Sequence, residues 1–391
     1  MIDFQMSEAQ REIGERIESF VMEKIVPFEK DPRISSHGPN DDLRIELNAL
    51  ARKEGIFAPH VPEEWGGMGL DHVSMAIAFE AAGLSPLGPI ALHCAAPDEG
   101  NMNLMHKEAT AEQNERWLKP LALGDIRSCF CMTEPGGAGA DPSKMLTRAT
   151  YDGDDFIING RKWLITGADG ASFTIIFADV EADGSNPGGP TMFLSDMDAE
   201  GIVLLREIDT IDNSFTGGHW EVGLENVRIP KENVLGKVGE GFKYVQVRLA
   251  PARLTHCMRW LGGARRAHMI ATQYARERHA FGKPIGEHEG VGFMLADNEI
   301  DLQQSRLMIW WAASLLDKGE KGRHESSIVK TAVSEALFRV ADRSVQTLGG
   351  LGVTKDTIVE QIFREVRAFR IYDGPSEVHR WAIARKILKN G

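Results

Sequence analysis

Apolar residues recur at three- and four-residue spacing early in the chain, as in Ile13, Ile17, Phe20 and Val21, and this period predicts helices with one buried stripe. Residues 1–128 share that texture, interrupted by the Gly/Pro punctuation of EEWGGMGL. Between residues 129 and 236 the pattern changes to short β-rich runs, FIING, KWLIT, FTIIFADV, TMFLSDM and GIVLL, separated by the turn clusters YDGDD, GADGAS and DGSNPGG. From 237 to 391 helix periodicity returns, with runs expected at about 241–279, 286–318, 323–348 and 375–389. The expected fold class is α+β, in three domains: an N-terminal helical domain at 1–128, a middle antiparallel β-barrel or sandwich at 129–236, and a C-terminal four-helix-bundle-like domain at 237–391. No internal repeat or low-complexity segment disturbs this order.

The longest apolar run, LMIWWAASLL from Leu307 to Leu316, is too short to cross a hydrocarbon core of roughly 30 Å and reads as a buried bundle helix. The N-terminal MIDFQMSEAQREIGERI lacks a basic region followed by an apolar stretch, so neither a secretion signal nor an anchor is expected, and the chain is expected to be cytoplasmic. The 391 residues carry 44 Lys plus Arg and 57 Asp plus Glu, a net charge of −13. That balance argues against nucleic acid or an anionic membrane as the main partner, while leaving room for a local basic pocket. Cys94, Cys129, Cys131 and Cys257 are too few for a disulfide framework, and Cys-x-Cys without a second pair is no zinc signature, so buried thiols and no metal are expected.

Five segments could carry chemistry. GKVGEGF precedes a helix but lacks the strand and acidic residue of a dinucleotide fingerprint, and reads as a domain-crossing turn. QTLGGLGVT, with Gly349, Gly350 and Gly352, is either a helix C-cap or a place where backbone approaches a phosphate. FCMTEPGGAGAD, from Phe130 to Asp141, could present amides and Thr133 to a flat polar ligand or serve as an interdomain turn. ARERHAFGKPI places Arg276, Arg278, Phe281 and Lys283 at a helix end, a solvated basic terminus or a phosphate-and-base site. In RIYDGPSEVHRWAIARKIL, Asp373 lies on a turn before a helix starting near Pro375, where a carboxylate either compensates the helix dipole or acts as a general base.

Together these segments resemble the acyl-CoA dehydrogenase family over nearly the whole chain. FCMTEPGGAGAD is similar to its Thr-Glu-Pro loop, INGRKWLIT to its Asn-Gly-x-Lys-x-Trp-Ile-Thr strand, RERHAFGKPI to its Arg-x-x-Phe-Gly signature, QTLGGLGVT to its Gln-x-x-Gly-Gly-x-Gly turn, and IYDGPSEVHRWAIAR to its catalytic motif. CAAPDEGNMN, SCFCMTEP and RLAPARLTHCMRWLGGA resemble the branch of family members 10 and 11.

The resemblance implies FAD as cofactor. Phe130, Met132 and Thr133 would cradle the isoalloxazine, with Gly139, Ala140 and Asp141 also in contact with the cofactor and Trp163 and Thr166 over one face. Arg278, Phe281, Gln346 and Gly350 would hold pyrophosphate and adenine, by analogy across a subunit interface, and Pro375 and Glu377 would also lie near FAD. Asp373 would remove the Cα proton of an acyl-CoA thioester, with Arg253, His256, Ala140 and Gly374 at the substrate. An electron-transfer flavoprotein would reoxidise the flavin of a homodimer or homotetramer.

Departures accompany the likeness. Asp373 stands where most of the family has Glu, shortening the base by one methylene, roughly 1.5 Å. Ala252 leaves no base at the alternative family position, Ala140 replaces a loop Ser, Leu164 takes the usual flavin-covering Trp position, and Glu289 and Glu377 replace frequent glutamines. Nitroalkane-oxidase-like or hydroxylase-like flavin chemistry, or mere flavin and acyl-CoA binding, are the competing readings of the same scaffold.

Overall fold

The computed structural model describes residues 5–137, 139–184 and 186–389. The architecture is that of an N-terminal helical, a middle β and a C-terminal helical domain. The described residues pack into two compact units.

One unit comprises the chain up to Asp31, Leu70–Leu92 and the chain from Pro251 onward. Its first helix, Glu8–Phe20, opens with a reciprocal capping box between Ser7 and Gln10, which satisfies two otherwise free amides. Ile17, Phe20 and Val21 are buried as the stripe requires, while Ile13 is half-buried. The C-terminal helices are Glu289–Asp317, Arg323–Leu348, Val359–Phe369 and Ser376–Lys389, together with most of Gly241–Glu277. Glu80, on the helix His72–Ala82, takes a two-pronged contact from Arg306 at 2.9 and 2.6 Å, and Asp301 accepts from both Arg339 and Arg343. Such bidentate pairs fix the rotation of one helix against the next.

Two features of this unit differ from expectation. The run Leu307–Leu316 is not wholly buried: Ile309, Ala312 and Ala313 face inward, whereas Leu307 and Trp311 are each more than two-fifths exposed. A helix buries only the arc that meets neighbours, and an apolar run longer than a turn exceeds that arc. The helix Val359–Phe369 was not expected; its buried stripe is Val359, Ile362, Val366 and Phe369.

The helix Gly241–Glu277 continues through Pro251, which has no N–H to give to the carbonyl four residues back. That carbonyl, of Val247, instead accepts from Asn103 Nδ2 at 3.2 Å, so the missing intrahelical bond leaves no orphan acceptor.

The other unit, Pro32–Gly69 with His93–Ala250, holds the β-sheet. Strand order across it is Val234–Leu235, Gly189–Asp196, Phe173–Val180, Arg148–Asp152, Asp155–Thr166, His219–Ile229 and Ile202–Glu207, with Ser128–Cys131 also paired to Phe173–Val180. Most neighbours are antiparallel as expected, but Phe173–Val180 runs parallel to both Ser128–Cys131 and Arg148–Asp152. Consecutive strands give the antiparallel pairs of Arg148–Asp152 with Asp155–Thr166, Phe173–Val180 with Gly189–Asp196 and Ile202–Glu207 with His219–Ile229, whereas Ser128–Cys131 enters the sheet from the preceding helices and is free to align the other way. Phe156, Ile158, Ile176, Phe193, Val222, Leu224, Val227 and Ile229 form its core. All four cysteines are buried, and none of them forms a disulfide.

Candidate active site

The helix Val359–Phe369 ends in a turn that holds Asp373 and Gly374 before the helix Ser376–Lys389 begins. Asp373 has φ +54° and Gly374 φ +102°, two successive left-handed residues. A Cβ on Gly374 would come within 2.7 Å of His379 Nε2, so the turn requires glycine there on both counts. For Asp373 the same region is uncommon, and contacts to the turn help to hold the backbone there.

Those contacts are to the carbonyls. Arg253 Nε donates to Asp373 O at 2.9 Å, His379 Nε2 donates to the same oxygen at 3.2 Å, and Lys330 Nζ donates to Gly374 O at 2.8 Å. Arg253, His256, Cys257 and Trp260 follow one another at helical spacing along one face of Gly241–Glu277, and Trp260 Nε1 donates to the Tyr372 hydroxyl at 2.5 Å.

His256 completes the cluster. Its Nδ1 lies 3.1 Å from Arg259 Nη2, and since a guanidinium only donates, Nδ1 is the acceptor. The neutral ring therefore carries its proton on Nε2, which lies 3.4 Å from Asp373 Oδ2. Asp373 Oδ2 is shielded from solvent and has no hydrogen-bond partner. Burial, followed by the charges of Arg253 and Lys330, holds the His379 imidazole at about 4. Burial likewise pulls the Lys330 ammonium down to about 8, pushes the Cys257 thiol up to about 12 and lowers Arg253, against the opposing charge of Asp373.

In the β-containing unit, the loop after Ser128–Cys131 is pinned by Glu134 and Lys162, an ion pair enclosed to 1% and 0% side-chain exposure. Lys162 Nζ donates to Glu134 Oε1 at 2.8 Å, to Met132 O at 3.1 Å and to Phe177 O at 2.7 Å. Glu134 also accepts from the amides of Leu146 and Thr147. Burial alone would raise the Glu134 carboxyl, but the Lys162 charge and these donors outweigh it and hold the group at about 2. Trp163 N–H closes the arrangement on Thr133 O at 3.0 Å. Phe130 in the strand and Met132 and Thr133 in the loop are left half-buried.

The strand Asp155–Thr166 is irregular where the flavin-facing residues were expected. Its register shifts between Lys162 and Ile165, and Leu164 sits at φ +54° with 41% exposure beside a half-buried Trp163. Thr166 Oγ1 bonds His219 Nδ1 at 3.0 Å, and His219 Nε2 lies 3.3 Å from Asp212. Gly139 and Ala140 are exposed, and Asp141 Oδ1 accepts from the amide and hydroxyl of Ser143.

Arg278, Phe281, Gln346 and Gly350 lie elsewhere in the helical unit. Phe281 tops a hairpin after Gly241–Glu277, 96% exposed, and Arg278 next to it is exposed as well. Gln346 and Gly350 are exposed at the end of Arg323–Leu348, where Gly349 at φ +59° caps the helix. Glu377 is 79% exposed and lies 3.9 Å from Arg380, and Pro375 is half-buried at the turn. The structure thus gathers Arg253, His256, Asp373 and Gly374 and holds Met132 and Thr133 on a braced loop, while Arg278, Phe281, Gln346, Gly350 and Glu377 stand exposed. Sequence reasoning missed Lys330 and His379 as site residues, and Glu134 and Lys162 as the brace. A lone charged residue on a helix face otherwise made of apolar, Ser and Thr residues was the available signal for Lys330.

Family models for the N-terminal, middle and C-terminal domains of acyl-CoA dehydrogenases match residues 7–125, 129–227 and 239–388. "Probable acyl-CoA dehydrogenase FadE2" of Mycobacterium tuberculosis is 35% identical, with 99% of this chain and 97% of the relative covered. Acyl-CoA dehydrogenase family member 11 of Rattus norvegicus is 34% identical over 99% of the chain, which spans 51% of that longer protein. Among solved structures, butyryl-CoA dehydrogenase from Megasphaera elsdenii is 28% identical with a TM-score of 0.88, covering 99% of this chain and all of that one. Three domain models in order and full-length relatives agree: the chain belongs to the acyl-CoA dehydrogenase family.

Proposed function

We propose that the protein catalyses FAD-dependent α,β-dehydrogenation of an acyl-CoA thioester to the trans-2-enoyl-CoA, with Asp373 as the base. The observation that carries this reading is the Asp373 carboxylate oxygen, buried and without a hydrogen-bond partner, on a turn gripped by Arg253, His379 and Lys330. A carboxylate so placed is short of solvation and suited to take a proton once a substrate excludes the remaining water.

FAD is the cofactor that goes with family membership, and the residues fit it. Open space surrounds Gly139, Gly349 and Gly350, where an added Cβ would meet nothing within 4 Å. Arg278 stands exposed at a helix end as a cation for a pyrophosphate, beside the exposed Phe281 ring. Met132, Thr133, Trp163 and Thr166 would hold the ring system. When bound, FAD supplies the acceptor for the hydride that leaves Cβ.

The chain's own residues would do the rest. Asp373 takes the proton from Cα, and the thioester oxygen is stabilised by the Asp373 backbone N–H, because an unactivated α proton is too weakly acidic for a carboxylate alone. Arg253 and His256 orient the base, the first through its carbonyl and the second beside its carboxylate. An electron-transfer flavoprotein would receive the electrons, and a homodimer or homotetramer would place the exposed Arg278, Phe281, Gln346 and Gly350 against a second copy. The test is anaerobic: acyl-CoA thioesters of graded chain length should bleach the bound flavin, with slow reoxidation in air. Rapid turnover of oxygen on a substrate without a CoA ester would contradict the reading.

A further inference from the structure

Lys330 lies in the middle of the helix Arg323–Leu348 and is fully enclosed. Removing an ammonium ion from water is costly, and such a group persists in a core only when it is hydrogen-bonded and electrically offset. Its bond is to the carbonyl of Gly374 at 2.8 Å, and the ring of Phe369 lies 5.1 Å away. The negative charges that offset it are those of Asp373 on the turn and Glu335 on its own helix, acting through space. Arg253 and Cys257 face it from Gly241–Glu277, and His379 from Ser376–Lys389.

We propose that Lys330 is a positioning residue for Asp373: its ammonium group holds the Gly374 carbonyl, and with it the left-handed turn that presents the carboxylate, and the turn loosens when that group loses its proton. The inference rests on Asp373 being the base and adds to that reading how the base is held. Three cationic or ring donors grip two successive carbonyls, Asp373 O by Arg253 and His379, Gly374 O by Lys330. The turn is in a left-handed backbone region that aspartate adopts far less readily than glycine. Burial places the Lys330 ammonium at about 8, so its charge changes in the mildly alkaline range. His379 at about 4 and Cys257 at about 12 keep their charge between pH 7 and 9.

The experiment is hydrogen–deuterium exchange of peptides covering residues 368–380 in the flavin-loaded protein without substrate, at pH 7 and pH 9, corrected for intrinsic exchange. Wild type should lose protection as pH rises through about 8. Lys330→Met should show the unprotected pattern already at pH 7, and Lys330→Arg should keep protection at pH 9. In parallel, flavin bleaching by an acyl-CoA should fall above pH 8 in wild type and be about 10- to 100-fold slower in Lys330→Met with no alkaline limb, the loss expected for one charged hydrogen bond. Protection and rate unchanged in Lys330→Met, or the same alkaline limb in that variant, would overturn the proposal. If the Met variant does not fold, the wild-type series decides: a flat profile from pH 7 to 9 overturns the proposal and a transition near 8 supports it. Bleaching by Asp373→Asn would refute the base while leaving the exchange result to judge Lys330 by itself.

Discussion

Arg253 holds Asp373 by its main chain: the guanidinium Nε donates to the Asp373 carbonyl at 2.9 Å. The contact fixes the turn through its main chain, and the guanidinium charge also lies opposite that of Asp373. A hydrogen bond from a charged donor contributes about 1.5–3 kcal/mol, so Arg253→Gln should bleach its flavin about 10- to 100-fold more slowly while retaining flavin absorbance. Stopped-flow absorbance under nitrogen at saturating acyl-CoA reads this directly; an unchanged rate would remove Arg253 from the machinery.

His379 should make the protein acid-sensitive. Its imidazole titrates at about 4 in the folded chain, held there first by burial and then by Arg253 and Lys330, against roughly 6.5 when unfolded. Between those values the unfolded chain binds more protons, so stability present above pH 6.5 is lost as pH falls towards 4, by up to about 3 kcal/mol. Urea unfolding from pH 7 to pH 4.5 should show that slope, and His379→Gln should flatten it.

Glu134 and Lys162 should behave as a unit. Removing one member of a buried ion pair strands the other, at a cost of about 3–5 kcal/mol, whereas replacing both by apolar groups can be nearly neutral. Glu134→Ala should therefore destabilise strongly and lower flavin content, because Met132 and Thr133 hang from the same brace. The double variant Glu134→Leu/Lys162→Met should recover most of the stability in a chemical-unfolding double-mutant cycle; strictly additive losses would contradict the coupling.

Gly374→Ala tests the turn itself. The side chain would sit in a left-handed conformation and meet His379 Nε2 at 2.7 Å, so a loss of about 1–3 kcal/mol is expected with a larger loss of bleaching rate. Thermal unfolding and bleaching measured on one preparation separate the two effects.

Much of this was legible in the sequence because it is local. Three- and four-residue spacing located the long C-terminal helices, Gly349 marked the end of one, and turn clusters bounded the strands. Asp373, Gly374, Arg253 and His256 were reachable through motif resemblance, and they lie together. What escaped was long-range. Lys330 meets Gly374 across 44 residues and Lys162 meets Glu134 across 28, and no periodicity reports a partner so far along the chain. The parallel pairing of Ser128–Cys131 depends on the path of the preceding helices, which strand patterning does not encode. The helix Val359–Phe369 had a usable spacing of Val359, Ile362, Val366 and Phe369, but its charged residues and its place between a glycine turn and the Asp373 motif masked it.

In the proposed reaction, Asp373 removes the proton that starts the chemistry. Asp373→Asn is nearly the same size and keeps the turn, whose grip is on main-chain carbonyls. The decisive measurement is anaerobic bleaching of the bound flavin by an acyl-CoA thioester in this variant beside wild type. A yellow protein that binds flavin normally and does not bleach is expected, whereas bleaching at the wild-type rate would rule out Asp373 as the base.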